Sequence, residues 1–129
     1  MSGGPPGMKP RFSGQPPVDA YGDGGFRLEG QRFEGSIIVT PQGLYPWSVA
    51  TLDDVTAESL AVLADGAGTF DFLLIGSGET FARLPVQVQR HFESRGFSPD
   101  IMKTSAACRT YNMMLGENRR VAAALIAVP

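Results

Sequence analysis

The sequence predicts an α/β fold of three layers, a mostly parallel central sheet between helices, entered through an N-terminal antiparallel hairpin. Three observations carry this reading. Short β-branched and aromatic stretches broken by glycine crowd residues 26–47; from Thr56 onward, stripes at helical spacing alternate with short apolar runs; and two of those runs, FDFLLIGSG from Phe70 and the stretch 121–128, are apolar without alternation, as strands buried on both faces are. With 129 residues, 43% of them hydrophobic and 19% charged, the chain has the composition of one soluble globular domain.

Residues 1–20, MSGGPPGMKPRFSGQPPVDA, are close to half Gly and Pro, and burial there cannot offset the cost of ordering the backbone, roughly 1 to 2 kcal/mol per residue. They are expected to form a disordered tail, with residues 21–129 as the single α/β domain. Prolines 5, 6, 10, 16 and 17 are incompatible with the apolar run of a secretory leader and with the amphipathic helix of a transit peptide. The longest apolar run, VAAALIAV, is less than half of the roughly 20 residues that span a bilayer. A cytoplasmic protein without a membrane-spanning segment is therefore expected.

Along the chain, FRLEG and RFEGSIIVT, punctuated by Gly30 and Gly35, suit consecutive antiparallel strands, and after the Pro41-Gln42-Gly43 turn GLYPW continues as an extended piece. A first helix is expected from an N-cap at Thr56, with a buried stripe of Ala57, Leu60, Ala61 and Ala64, closed by Gly66. The Phe70 run comes next, as a central parallel strand. A second helix is expected from Leu84, with Pro85 in its first turn and Leu84, Val88 and Phe92 buried, until Gly96. After a short strand at 97–102, Thr104 or Ser105 caps a third helix with Ala107, Tyr111, Met114 and Leu115 inward and Gly116 at its C-terminal cap. The last strand begins at Arg120.

Net charge is −2, so the electrostatic footprint of a nucleic-acid binder is missing. One cysteine and one histidine cannot build a thiolate or histidine metal cluster. No base, paired carboxylates or metal cluster emerges, so no catalytic residue, metal or cofactor is expected. Cys108, in the first turns of the third helix, reads as a packed thiol before it reads as a nucleophile, and His91 falls too far along the second helix to pair with it.

In open α/β sheets ligands bind beyond the carboxyl ends of the strands. Two loops belong there: Gly76-Ser77-Gly78-Glu79-Thr80, and Lys103-Thr104-Ser105. Together they suggest an anion site of backbone N–H groups, hydroxyls and Lys103. The competing reading is a sharp turn and nothing more, since GSG matches neither phosphate-binding glycine motif. Arg109 and Asn112, three residues apart on the third helix, are expected to project together, with Tyr45, Trp47 and Phe81 able to join them in an interface patch; Trp47 reads equally as a lid over the core edge. Arg119 or Arg120 is expected to pair with Glu117.

GLYPW, FLLIGSG and above all TSAACRTYNMMLGENRRVAAALI, residues 104–126, resemble a small family of domains of unknown function. Its eukaryotic branch includes NADH dehydrogenase (ubiquinone) complex I assembly factor 3, and a sister branch holds the adipogenesis-associated domain proteins. The resemblance runs from about Phe26 to the C-terminus. It implies a three-layer α/β domain without known catalytic activity and, in the eukaryotic branch, a role in building respiratory complex I through other assembly factors. The family-typical positions matched are Gly76-Ser77-Gly78, Thr104, Ala107, Asn112, Glu117 and Arg120. Lacking the transit peptide of mitochondrial members, the chain is expected to be of bacterial type. Two functions stay open. One is a non-enzymatic interaction or assembly protein in the biogenesis of a respiratory or other membrane complex, using Gly76, Ser77, Gly78, Thr80, Lys103, Thr104, Arg109 and Asn112 to hold a protein partner of the assembly-factor kind. The other is a small-molecule or anion-binding domain at the two loops.

Overall fold

A computed structural model describes residues 14–129. Eight strands divide into two sheets. Strands β1 (Val18–Gly22), β2 (Gly25–Leu28) and β3 (Gln31–Glu34) form an antiparallel meander. Both connections are two-residue turns with positive φ at each residue, Asp23-Gly24 (53° and 80°) and Glu29-Gly30 (51° and 79°), the twist that antiparallel strands favour. Of the expected tail, residues 1–13 lie outside the described residues. The rest is ordered: Val18, Asp19 and Ala20 already belong to β1.

The second sheet contains β4 (Ser36–Thr40), β5 (Gly43–Trp47), β6 (Phe72–Gly76), β7 (Asp100–Met102) and β8 (Val121–Leu125), in the order β5-β4-β8-β6-β7. It is mixed rather than mostly parallel. β4 runs antiparallel to both β5 and β8, while β6 runs parallel to both β8 and β7. The apolar runs are doubly buried strands, as their pattern predicts, but two-sided burial fixes no direction, and β4 enters from a hairpin with its chain reversed against β8.

Alternation along the central strands sends side chains to two cores. Ile38, Leu73, Ile75, Ala122, Ala124 and Ile126 face one layer, while Ile37, Val39, Leu74, Val121, Ala123 and Leu125 face the other. The first layer is closed by α1 (Ala61–Asp65), α2 (Val86–Ser94) and the turns between 52 and 69. The second is closed by α3 (Thr104–Gly116) and by Val18, Phe26 and Leu28 of the small sheet.

Helix termini refine the sequence reading. The N-cap of the first turn is Ala57 rather than Thr56, although Thr56 makes the reciprocal bonds of a capping box: its Oγ1 accepts from Ser59 N–H at 3.0 Å while Ser59 Oγ accepts from Thr56 N–H at 3.2 Å. The capped segment is a 3-10 turn, Glu58–Leu60, running into one α turn; Leu60 and Leu63 are the buried residues, and Ala61 is exposed. Leu84, Val88 and Phe92 are buried as expected, but α2 begins at Val86: Pro85 is its N-cap rather than part of its first turn, and Leu84 lies in the loop before it. Gly96, at φ 85°, closes α2 with paired bonds from Gly96 N–H to Glu93 and Phe97 N–H to Phe92. At α3 the same device is built on Asn118, at φ 60°, and Gly116 stays inside the helix.

Candidate functional site

The carboxyl ends of β6 and β8 and the start of α3 meet at Thr104. Its side chain is fully buried and does not cap the helix, whose N-cap is Lys103. Instead Thr104 Oγ1 accepts from Gly78 N–H at 2.9 Å and donates to the Ile126 carbonyl at 2.7 Å. Around it Ser77 N–H donates to Met102 O at 2.8 Å, Thr104 N–H to Gly78 O at 2.9 Å, and Ile126 N–H to Gly76 O at 3.0 Å. Ser77 Oγ donates to Thr80 O at 2.7 Å. The two loops expected to sit side by side therefore do, but the N–H groups of Ser77, Gly78 and Thr104 that would cradle an anion are spent on the protein itself. Glycine at 76 is a packing requirement: a Cβ there would lie 2.9 Å from Thr104 Oγ1 and 3.0 Å from its Cα. Gly78, at φ 111°, adopts a backbone that other residues rarely take.

The other predicted residues separate. Lys103 and Thr80 are exposed beside this junction, and Arg109 is exposed on α3. Asn112 does not project with Arg109. Its side-chain Oδ1 accepts from Val18 N–H at 2.8 Å and its Nδ2 donates to Val18 O at 2.9 Å, so it pairs with β1 as another strand would. Tyr111 Oη reinforces this strap by donating to Pro16 O at 2.7 Å, and Gln15 Nε2 donates to Val121 O at 2.7 Å. Tyr45 and Trp47 are core residues and do not join a surface patch. Trp47 lies over the first layer with its Nε1 donating to Ser59 Oγ at 3.3 Å; of the expected aromatic patch only Phe81 is exposed.

Cys108 packs in the second layer, and burial pushes its thiol up from an ordinary 9.0 to about 12, with Arg109 pulling weakly the other way. His91 lies beside Phe92, which belongs to the first layer, so the sheet separates the two. Arg119 pairs with Glu117 at 2.9 Å as expected, whereas Arg120 makes a two-pronged pair with Asp71 at 3.0 and 2.7 Å, holding the Asp71 carboxyl below its ordinary range. This ties the entry of β8 to that of β6, whose Asp71 and Phe72 N–H groups both reach the Arg120 carbonyl.

Two surface grooves lie near these elements, and the first is lined in part by the 76–80 loop that the sequence singles out. An open groove of about 340 Å³ runs beyond the strand ends, walled by Leu52, Asp53, Gly78, Thr80 and Ile126. A second, of about 310 Å³, lies between the loop before α2 and β7 and is lined by Phe81, Arg83, Val86, Arg90 and Ile101 among others. Both are assembled from separate segments by the fold, and no local stretch of residues signals the second.

A profile described as "Protein of unknown function (DUF498/DUF598)" matches residues 18–126. The chain belongs to this family. An uncharacterized protein of Rhodobacter capsulatus is 39% identical over 121 residues, 94% of this chain and 92% of that protein. The NADH dehydrogenase [ubiquinone] 1 alpha subcomplex assembly factor 3 of Bos taurus is 31% identical over 112 residues, 87% of this chain. The chain spans about 61% of the length of that bovine relative. Among solved structures, that of an outer membrane protein from Bartonella henselae superimposes with a TM-score of 0.85 at 39% identity, covering 92% of this chain and 100% of the other. The family resemblance carried by GLYPW, FLLIGSG and residues 104–126 is thereby confirmed. Among the described residues no helix is long and apolar enough to cross a membrane.

Proposed function

We propose that this protein is a non-enzymatic assembly protein that holds a protein partner during biogenesis of a respiratory or related membrane complex, acting from the cytoplasm. The observation that carries the reading is the 31% identity, over 87% of the chain, to a protein named as a complex I assembly factor. The internal use of the loop N–H groups supports it over a ligand-binding reading, because Gly76, Gly78 and Thr104, three of the family-typical positions, serve to fix the edge rather than to leave donors open. On that fixed edge Lys103 and Thr80 are exposed, and Arg109 stands one turn from Met113, itself 56% exposed. Arginine beside an exposed apolar side chain is the composition of an interface centre.

The test is affinity purification of the tagged protein from its own host with membranes solubilised, followed by mass spectrometry. Respiratory-complex subunits or their biogenesis factors should be recovered by the wild type and lost with Arg109→Glu, whose melting temperature stays unchanged because the side chain is exposed. A wild type that recovers no such protein overturns the reading.

A further inference from the structure

Charge is unevenly distributed along the chain and therefore over the fold. Residues 79–109, comprising the β6–α2 loop, α2, β7 and the first half of α3, carry five basic side chains against three acidic ones; residues 14–78 and 110–129 carry four basic against ten acidic. The protein is acidic overall, with net charge −2, yet residues 79–109 are net basic, and the acidic excess lies in residues 14–78, which carry two basic side chains against nine acidic ones. The basic stretch includes β7, one outer strand of the five-stranded sheet.

The second groove lies in that basic region. Two of the large apolar side chains most exposed to solvent, Phe81 at 53% and Val86 at 62%, stand on its rim, with Leu84 buried beneath and Ile101 half-buried along β7. The Arg83 guanidinium lies 5.7 Å from the Phe81 ring centroid, a cation resting on an aromatic face. Among the described residues neither Arg83 nor Arg90 has a carboxylate partner. The one acidic side chain in the groove, Glu93, accepts from Gln89 Nε2 at 3.1 Å. Arg32, Arg119 and Arg120 each have a carboxylate within hydrogen-bond reach, whereas among the described residues Arg27, Arg95 and Arg109 share the state of Arg83 and Arg90. What sets Arg83 and Arg90 apart is that they flank exposed apolar side chains in one groove. Arg83 and Arg90 flank these two exposed apolar side chains without a carboxylate partner among the described residues, and an interface that covers them gains both burial and charge pairing.

We propose that this groove is a docking site for an acidic peptide segment of a partner protein, one that seats a bulky apolar side chain against Phe81 and Val86 and places flanking carboxylates on Arg83 and Arg90. The inference rests on the reading of the protein as one that holds a protein partner, and adds a surface separate from Arg109 with a stated occupant. The volume, near the lower bound of roughly 300 Å³ for small-molecule pockets, suits a side chain or two rather than a cofactor. The unpaired cations select for acidic neighbours and against basic ones.

The experiment is display selection of random dodecapeptides on the immobilised full chain, followed by titration of the selected peptides against variants. Selected sequences should carry Asp or Glu on both sides of an aromatic or aliphatic residue, and their affinity should fall at least tenfold with Phe81→Ala and with Arg90→Glu. Both side chains in those two variants are at the surface, so the melting temperature should not move. The double variant Arg83→Glu, Arg90→Glu should instead prefer the same peptides with Lys in place of the acidic residues. No enrichment, enrichment of basic sequences, or binding indifferent to these substitutions overturns the proposal. So does sedimentation with phosphatidylglycerol vesicles that is lost in Arg90→Glu when no peptide is selected, which would assign the groove to a lipid surface. Failure of this surface and failure of the assembly reading are distinguishable: host-partner capture that survives Phe81→Ala removes the groove alone, and acidic peptides selected when no host partner is captured remove the assembly role alone.

Discussion

Thr104 links the exits of two strands and the start of a helix through one hydroxyl, which makes it the residue where chemistry and packing can be separated by substitution. Thr104→Val keeps the shape and strands two buried groups, the Gly78 N–H and the Ile126 carbonyl. Each unsatisfied group costs about 1 to 3 kcal/mol, so urea unfolding should show a loss of roughly 2 to 6 kcal/mol. Thr104→Ser removes one methyl and should cost only about 1 kcal/mol. Equal losses in the two variants would place the contribution in packing instead. Titration gives a second prediction at this scale. Burial raises the Cys108 thiol from 9.0 to about 12, and burial likewise raises the Tyr111 phenol. A raised acid keeps its proton longer folded than unfolded, so the stability it confers is complete below pH 9 and is lost as pH climbs toward 12. Alkaline unfolding should begin above about pH 9, and a thiol reagent at neutral pH should modify Cys108 only in denaturant. Prompt modification of the native protein would contradict the buried placement.

At the scale of elements, β1 depends on a side chain far away in sequence. Asn112 supplies both the acceptor and the donor that Val18 would find on a neighbouring strand, and Tyr111 and Gln15 anchor the residues before it. Asn112→Ala should therefore loosen β1 while leaving the five-stranded sheet intact: by hydrogen exchange, amides of residues 18–22 should lose protection and those of β4, β6 and β8 should not. This strand is illegible in the sequence for the same reason. VDAYG is a short stretch without a run of β-branched residues, next to Pro16 and Pro17, and its partner is a helix residue that no local pattern reveals; only the Asp23-Gly24 dipeptide, a strong hairpin signal, points to it. The spacing of Asn112 with Arg109 suggests a surface residue, because helical geometry says which side a residue faces and not which strand will meet it there. The termini of α2 and α3 show the opposite case. Glycine marks a closing residue near both ends, correctly at Gly96, but at α3 the left-handed position falls to Asn118 instead of Gly116. Asn118→Gly should leave stability nearly unchanged, and Asn118→Ala should cost about 1 kcal/mol or more, since alanine gains no local hydrogen bond in that conformation.

Across the whole molecule, the sequence conveys well which segments are buried and leaves open how the chain threads between them. The buried spacing of Leu84, Val88 and Phe92, the last two on α2, and the doubly buried runs at β6 and β8 are readable because burial writes itself into local pattern. Direction does not: β4 and β6 both look like interior strands, yet they flank β8 with opposite orientations. That shared central strand has a thermodynamic consequence. Ala122 and Ala124 face the layer that holds Trp47, and Ala123 faces the layer of α3, all fully buried on five consecutive paired residues. Neither core can lose its packing without moving the strand that walls the other, so the two should melt as one unit. Trp47 is the single tryptophan, is 3% exposed, and reports on one layer alone, whereas far-UV circular dichroism reports on every element. Their urea midpoints should coincide in the wild type. Ala123→Val, which crowds the layer away from Trp47, should destabilise by about 1 to 3 kcal/mol and shift both midpoints equally. If the tryptophan transition stayed in place while the dichroism transition moved, the layers would unfold separately, and the coupling through β8 would be absent.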